Sequence, residues 1–238
     1  MPVLEAPEAP FLPFGAVETV KRTRIEKIVA RVMSNNASTI PHVTHHDEVD
    51  VTALEVYRAQ LPREQRASPL IFLVKAVVDG LKAFPHFNSS LAADGETLIL
   101  KRYFNIGIAV DSPLGLLVPV LRDCESKDVA ALALELRELS GLARTKGLPI
   151  DKMSGGSFSI SSLGGLGGTG FTPIINAPEV AILGVNDIQV RPVWTGETFA
   201  PRKMLPLSLS YDHRVINGAD AARFVRHLGR ALNAQVPG

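Results

Sequence analysis

The chain of 238 residues has few of the features that mark secreted, membrane-bound or nucleic-acid-binding proteins. Its one cysteine, Cys124, excludes a disulfide within the chain and is typical of a reducing compartment. Lysine and arginine number 25 against 24 aspartate and glutamate residues, a balance that argues against nucleic acid or an anionic membrane as partner. No apolar run approaches the roughly 20 residues that a transmembrane helix needs. We therefore expect a cytoplasmic protein with no nucleic acid and no membrane as partner.

Hydrophobic residues, by contrast, are abundant at 46% of the chain, enough for one large core or two small ones. Residues 1–14 hold four prolines among alanines and glutamates, a composition that favours an extended, solvated chain. We interpret residues 1–14 as the remnant of an interdomain linker and residues 15–238 as the folded domain.

The hydrophobic pattern changes repeatedly between helical and strand-like periods. Apolar residues at helical spacing predict helices over residues 22–36, 69–84, 128–145 and 219–234. Alternating or short apolar runs predict strands over residues 40–51, 105–111, 116–121, 157–161, 180–185 and 205–211. Because these elements follow no strict strand–helix–strand rhythm, we expect an α/β protein, a two-layer α+β sandwich in which helices cover a mixed β-sheet.

A histidine stands where the last predicted strand ends and the last predicted helix begins. His213 belongs to residues 212–218 (DHRVING) and lies between two charged residues. Imidazole is the side chain best suited to move protons near neutral pH, so His213 is the leading candidate for a general base. The alternative is a histidine with a structural role only.

Ser161 ends the strand predicted over residues 157–161. Its hydroxyl either belongs to a polar strand face or has a function. The chain holds no G-x-S-x-G turn, which argues against a serine nucleophile of the hydrolase type. Cys124 is a poor candidate for a nucleophile as well, because no neighbour in sequence would lower its pKa.

Two further patterns suggest ligand sites but favour simpler interpretations. Residues 165–170 (GLGGTG) match the spacing of a dinucleotide-binding loop, which must open a helix. Pro173 and Pro178 prevent a long helix there, so we predict a turn that brings the backbone close to a ligand. In the predicted strand at residues 40–51, His42 and His46 share one face, and neither face offers the three ligands of a zinc site. We expect a polar strand face and no metal.

Several stretches together resemble a known family. Residues 212–218 resemble the DHRxxDG signature of the acyltransferase (E2) components of 2-oxo acid dehydrogenase complexes. Further similar stretches occur in the expected order at residues 40–44, 105–111, 115–120, 157–164 and 177–185. The resemblance covers nearly the whole chain from about Phe14. It implies that residues 15–238 form an acyltransferase catalytic domain with a chloramphenicol-acetyltransferase-like fold.

The resemblance implies acetyl transfer from a dihydrolipoyl arm to coenzyme A, as in the core of a pyruvate dehydrogenase complex. The same chemistry on a branched-chain, succinyl or acetoin-derived acyl group and a non-catalytic structural core are the alternatives. Coenzyme A would be a substrate, the lipoyl group would arrive on a separate lipoyl domain, and no metal is implied. The implied partners are further copies in a homotrimer, a larger cage of about 24 subunits, the lipoyl domain, the E1 decarboxylase and the E3 dihydrolipoamide dehydrogenase.

The resemblance also implies roles for the site residues. His213 is the general base, and Ser161 donates a hydrogen bond to the tetrahedral oxyanion. Asn217 stands where the commonest family pattern has aspartate and orients a neighbour by hydrogen bonding. Asp212 forms a buried ion pair with Arg24 that locks the histidine loop.

The positions that match coenzyme A contacts of the family are Arg58, Ser68 and Asp111. Each has a plainer interpretation from the sequence alone. Arg58 is equally well a solvated helix arginine, Ser68 a helix N-cap before Pro69, and Asp111 a turn carboxylate.

Overall fold

The computed structural model describes residues 15, 18–113 and 115–237. The linker predicted over residues 1–14 lies outside the described residues and stays a prediction. The α-helices of the described residues are α1 (Arg24–Thr39), α2 (Thr52–Gln60), α3 (Pro69–Ala83), α4 (Val129–Thr145) and α5 (Gly218–Asn233). Short 3-10 helices cover Pro85–Asn88 and Ile150–Lys152. None of the helices in the described ranges is long and apolar enough to cross a membrane.

The strands supply the mixed sheet that the sequence predicts. They are β1 (His42–Asp50), β2 (Ser89–Leu91), β3 (Leu98–Leu100), β4 (Ile106–Ser112), β5 (Gly115–Leu117), β6 (Val120–Leu121), β7 (Phe158–Ser162), β8 (Ala181–Val185), β9 (Gln189–Trp194) and β10 (Phe199–Asp212). The main sheet has the order β1-β10-β8-β7-β4-β5, with β6 beside β4 and β9 beside β10. β7 is parallel to both β4 and β8, while the other pairs in this sheet are antiparallel. β2 and β3 form a separate two-stranded sheet.

One face of the main sheet builds the core with the helices. On β10 the alternate residues Leu207, Leu209 and Tyr211 are at most 2% exposed and belong to the same buried cluster as α3 and α5. In α5 the apolar residues at helical spacing, Phe224, Leu228 and Leu232, are fully buried. These apolar residues therefore belong to the core of the single chain rather than to an interface.

The opposite face of the sheet is polar along β1 and β10. His42, Thr44 and His46 lie directly across from Asp212, Ser210 and Ser208. The segment of residues 163–178 covers this face, since the Phe171 N–H donates to Ser208 Oγ at 3.4 Å. His42 holds the same segment: its Nε2 accepts from Ile175 N–H at 2.9 Å, and its Nδ1 lies 2.8 Å from the Ile40 carbonyl. Both ring nitrogens of His42 thus have backbone partners, as expected for a structural histidine in a polar strand face.

Most of the predicted elements lie within three residues of their observed bounds, although the strand predicted over residues 116–121 divides into β5 and β6. There are three exceptions: β2 and β3, α2, and the hairpin of β9 with the first half of β10. α2 was not predicted, and its first residue follows Val51 with no side-chain cap, so the usual start signal is missing. The hairpin of β9 and the first half of β10 was not predicted either. It pairs Pro192 with Pro201 and is largely exposed, so the pattern of a buried strand is absent there.

Candidate active site

His213 lies in the turn between the end of β10 and the start of α5. Its backbone N–H donates to the Pro41 carbonyl at 3.0 Å, and the N–H of Asp212 donates to the Val180 carbonyl at 2.8 Å. The turn is therefore anchored on both neighbouring strands. The imidazole is exposed, lies 5.9 Å from the Tyr211 ring between centroids, and has no hydrogen-bond partner among the described residues. A fixed backbone with a free ring suits a group that must exchange protons with a substrate.

Asp212 is buried beside this histidine, at 2% exposure. Its carboxylate accepts hydrogen bonds from the Arg214 backbone N–H at 3.0 Å and from the Arg214 guanidinium, the shortest at 2.6 Å. These bonds raise the pKa of the Arg214 guanidinium above its ordinary value. In this chain the partner of Asp212 is thus Arg214 and not the predicted Arg24, which is exposed at the first position of α1. The Arg214 side chain, two residues after Asp212, bends back over the turn to reach the carboxylate.

Asn217 is the N-cap of α5. Its Oδ1 accepts from the Asp220 backbone N–H at 2.9 Å, and its Nδ2 donates to the Asp220 carboxylate at 2.8 Å. Within the chain, then, Asn217 fixes the start of the helix that follows His213. Asp220 is a residue that sequence reasoning missed, although Asn is a favoured N-cap residue and acidic residues are enriched in the first turn of a helix.

Ser161 lies on β7 in a row of residues that crosses the sheet. The register pairs Ser161 with Gly184 of β8, Gly184 with Ser208 of β10, and Ser208 with His46 of β1. Gly184 leaves room for Phe171, because a Cβ there would lie 2.8 Å from that ring. The Ser161 hydroxyl is half-buried and has no hydrogen-bond partner among the described residues. It is free to donate to a ligand.

The same register shows that Ser161 and His213 of one chain are far apart. Ser161 is level with Ser208, which precedes His213 by five residues (213 − 208) along β10. Five residue steps along the strand and two strand spacings across the sheet amount to about 20 Å. An oxyanion donor must lie roughly 3 Å from the oxyanion, so these two side chains cannot serve one reacting carbonyl within one chain.

Ser68 lies at the N-cap position of α3, ahead of Pro69, as predicted, but its side chain makes no capping hydrogen bond. It lines a cavity of about 420 Å³ together with Ser162, Asn186 and Asp187. Ser162 follows Ser161 directly, so this cavity adjoins the serine end of the sheet. The hydroxyl of Ser68 is therefore available to a ligand next to Ser161.

Of the other two predicted coenzyme A contacts, Asp111 is exposed, whereas Arg58 is bonded to other residues of the chain. Asp111 is exposed on β4, two residues beyond Ala109, which pairs with Ser161, so it lies at the same end of the sheet as Ser68. Arg58 is engaged inside the chain. Its Nε donates to the Ala67 carbonyl at 2.8 Å, and its guanidinium forms an ion pair with Glu55. It is neither a solvated helix arginine nor free for a phosphate, and it holds the segment that precedes Ser68.

The glycine-rich turn at residues 165–170 is held by a carboxylate. Asp187 fixes the glycine-rich turn, because its carboxylate accepts from the backbone N–H groups of Gly165 and Gly167. No helix follows these glycines within residues 165–180, which agrees with a turn and not with a dinucleotide loop.

Cys124 is fully buried, and burial raises the pKa of its thiol to about 11. It therefore has no thiolate character near neutral pH.

The similar curated sequences are acetyltransferase components of bacterial pyruvate dehydrogenase complexes. It is 54% identical over 235 residues to the dihydrolipoyllysine-residue acetyltransferase component of the pyruvate dehydrogenase complex of Cupriavidus necator, and 52% identical over 231 residues to that of Pseudomonas aeruginosa. These alignments include 97% and 95% of this chain. The chain spans only 42% of the length of either relative.

Solved structures show the same fold. Dihydrolipoamide acetyltransferase of Azotobacter vinelandii superposes on this chain with a TM-score of 0.93 at 48% identity over 97% of both chains. The catalytic mechanism of that enzyme has been studied through a serine, a histidine and an asparagine. The cubic core of a pyruvate dehydrogenase multienzyme complex gives 0.92 at 49% identity, again over 97% of both chains. Chloramphenicol acetyltransferase, at 16% identity and a TM-score of 0.57 over 85% of this chain, shares the fold. Since the family model for the catalytic domain of 2-oxoacid dehydrogenases acyltransferase matches residues 14–236, the chain belongs to this family.

Proposed function

We propose that this chain transfers an acetyl group between the thiol of a dihydrolipoyl arm and the thiol of coenzyme A, as part of a pyruvate dehydrogenase complex. The observation that carries the proposal is a shared spacing. The serine, histidine and asparagine named in the mechanism of the Azotobacter vinelandii enzyme are separated by 52 and 4 residues, and so are Ser161, His213 and Asn217 (213 − 161 and 217 − 213). Both reactive side chains, the Ser161 hydroxyl and the His213 imidazole, are free of protein partners in the described structure.

The first step is the activation of a thiol. A free thiol has a pKa of about 8.5, so only a small fraction is thiolate at neutral pH. The neutral imidazole of His213 takes the proton of the coenzyme A thiol while the sulfur attacks the carbonyl carbon of the acetyl thioester. General-base assistance of this kind contributes about 10²–10⁴ to the rate.

The second step is the collapse of the tetrahedral intermediate. When the new carbon–sulfur bond forms, the carbonyl oxygen becomes an oxyanion, and the Ser161 hydroxyl donates a hydrogen bond to it. The oxyanion then re-forms the carbonyl, the bond to the dihydrolipoyl sulfur breaks, and the imidazolium of His213 returns its proton to that sulfur. Acetyl-CoA and a dihydrolipoyl thiol result, with no covalent enzyme intermediate.

The separation of His213 and Ser161 supports a site shared between two chains. Because about 20 Å separates them in one chain, a complete site requires His213 of one chain and Ser161 of another. A closed ring completes every site with the same contact, and we propose a homotrimer. Such a site lies between subunits, which allows the two thiol carriers to approach from opposite sides.

The surface of α1 supports the same assembly. Its apolar residues Ile25, Ile28, Val29 and Val32 are between 36% and 44% exposed, so the helical stripe seen in the sequence is only partly covered by its own chain. An apolar stripe of this kind is a typical contact surface between subunits. By analogy with the cubic core of the related complex, we propose that the trimers associate into a cage that binds the lipoyl domain, the decarboxylase and the dihydrolipoamide dehydrogenase.

The cavity beside Ser161 is proposed to take coenzyme A. It lies at the serine end of the sheet with the unbonded hydroxyl of Ser68, and the Asp111 carboxylate is at the same end. A hydroxyl and a carboxylate can bond the amides and hydroxyls of the pantetheine arm or the nucleotide. Arg58 supports this cavity through the Ala67 carbonyl.

The test is a transfer assay with free dihydrolipoamide and three acyl donors: acetyl-, isobutyryl- and succinyl-CoA. The proposal predicts the highest kcat/KM for acetyl-CoA, while one methylene in the acyl pocket changes specificity by only about 1–3 kcal/mol. Equal or faster transfer of a longer acyl group would contradict the acetyl assignment. Absence of transfer from all three donors would contradict the enzyme, and release of coenzyme A without an acceptor thiol would indicate a hydrolase.

A further inference from the structure

Glu179 is a buried carboxyl group that the reaction above does not use. It lies just before β8 and is only 5% exposed. Its Oε1 accepts a hydrogen bond from the hydroxyl of Ser159 at 3.0 Å, while its Oε2 is buried without a partner in the described structure. Carboxyl groups are seldom fully buried, and an unpaired buried oxygen calls for an explanation.

Two glycines make room for this pair. A Cβ at Gly156 would lie 3.0 Å from the Glu179 carboxyl, and a Cβ at Gly107 would lie 2.9 Å from the Ser159 hydroxyl. Neither glycine has the positive φ that would require glycine for backbone reasons. The space they leave is therefore adapted to the Ser159–Glu179 hydrogen bond.

Glu179 and Lys101 both line a cavity of about 290 Å³. The Lys101 Nζ is buried without a hydrogen-bond partner, and no ion pair joins it to Glu179 among the described residues. Burial raises the pKa of the Glu179 carboxyl to about 8, against the opposing effects of the Ser159 hydrogen bond and the Lys101 charge. Burial likewise lowers the pKa of Lys101. Tyr103 is the other titratable residue on this cavity.

Glu179 connects the strand of Ser161 to the turn of His213. Ser159 precedes Ser161 by two residues on β7, so both serines face the same side of the sheet. The residue after Glu179 is Val180, whose carbonyl accepts the N–H of Asp212 at 2.8 Å. We propose that Glu179 is a positioning residue for acyl transfer, whose carboxyl group holds β7 and the histidine turn in a fixed relation through Ser159 and Val180.

This inference rests on the proposed function and adds a consequence for the assembly. In a ring of chains, Ser161 and His213 of one chain belong to two neighbouring sites. The contact of Glu179 with Ser159 therefore fixes the distance between these sites and the direction from which each catalytic group enters. Ionisation of Glu179 above its pKa of about 8 places a buried negative charge at this junction that no ion pair among the described residues neutralises, which weakens the positioning.

The first experiment compares Glu179→Gln with Glu179→Ala in the assembled enzyme. Glutamine keeps an oxygen for Ser159 but does not ionise, so kcat near pH 7 stays within about twofold of wild type, whereas alanine lowers kcat at least about tenfold with little change in either KM. As the pH rises above 8, the ratio of kcat for Glu179→Gln to kcat for wild type increases. Glu197→Ala, a change at an exposed residue of the β9–β10 turn, serves as the control and changes neither quantity. Wild-type kcat for Glu179→Ala, or the same pH profile for Glu179→Gln and wild type, would overturn the inference.

A second pair of measurements does not depend on Glu179→Ala folding. Ser159→Ala removes the contact from its other end and lowers kcat about threefold or more, and an unchanged kcat would overturn the inference. Infrared spectroscopy of wild type at pH 7 shows a protonated carboxylic acid that is absent from Glu179→Gln. Absence of that band in wild type would also count against the inference. Because the band does not require turnover, a failed transferase assay with the band present contradicts the proposed function and leaves the buried acid established.

Discussion

Ser161 on β7 and His213 in the turn after β10 are separated by two strand spacings across the sheet and five residue steps along it. Asp212, Arg214 and Val180 fix the backbone around His213, and the row from His46 through Ser208 and Gly184 defines the position of Ser161. Under the proposed mechanism, each chain therefore offers its base, His213, at one end of the sheet and its hydrogen-bond donor, Ser161, at the other.

Replacing His213 with alanine should remove the general base without affecting the fold. We expect kcat to fall about 10²–10⁴-fold, because the attacking thiol then loses its proton only to water. The free energy of unfolding should change by no more than about 0.5 kcal/mol, since the ring is exposed and unbonded. Steady-state kinetics, the mass of the assembly and urea denaturation check this, and transfer near the wild-type rate would contradict the mechanism.

Replacing Ser161 with alanine should lower kcat about 10²–10³-fold and leave both KM values nearly unchanged, because the hydroxyl acts on the oxyanion and not on bound substrate. Ser126→Ala is the matched control. Ser126 is exposed in a turn where its hydroxyl donates to the Asp123 carbonyl, and its loss should not change kcat. A rise in KM with normal kcat for Ser161→Ala would assign the serine to substrate binding instead.

The partner of Asp212 can be identified by double-mutant cycles on unfolding. Coupling between Asp212→Asn and Arg214→Ala should be about 0.5–1 kcal/mol, at the low end for close pairs because Arg214 is half exposed. Coupling between Asp212→Asn and Arg24→Ala should not exceed the roughly 0.3–0.5 kcal/mol of independent sites. A larger coupling energy of Asp212 with Arg24 than with Arg214 would show that Arg24 is the partner.

Ser68→Ala should affect substrate binding and not stability. A helix N-cap serine usually contributes about 1 kcal/mol, but the Ser68 side chain makes no capping bond, so no such loss is expected. We expect KM for coenzyme A to rise roughly threefold to tenfold and KM for the dihydrolipoamide substrate to stay constant. Asp128→Ala is the control, since Asp128 caps α4 through the Ala131 N–H at 2.8 Å; it should lose stability and keep both KM values.

The sequence is sufficient to predict those features of the structure that a local residue pattern determines. The burial of Phe224, Leu228 and Leu232 follows from their helical spacing, and the position of His213 follows from a strand that ends where a helix begins. The roles of His213 and Ser161 came from family resemblance, because a single histidine or serine in isolation has no distinctive pattern.

Contacts between residues distant in sequence could not be predicted in this way. Glu179 and Ser159 meet across 20 residues, and nothing in either segment signals the other. Arg58 matched a family position for coenzyme A, yet its contacts with Glu55 and Ala67 depend on how α2 packs, and α2 itself lacked a start signal. The partner of Asp212 likewise depends on the path of a turn rather than on sequence spacing.

Complementation between two inactive variants tests the shared site most directly. Co-expressed His213→Ala and Ser161→Ala chains would form mixed rings in which an intact base from one chain meets an intact hydroxyl from the next. Random mixing in equal amounts predicts about a quarter of wild-type activity. Half of the sites receive an intact His213, and half of those also receive an intact Ser161 from the adjoining chain. Activity of the mixed assembly no higher than that of either variant alone, with mixing confirmed by mass, would contradict a site built from His213 and Ser161 of different chains.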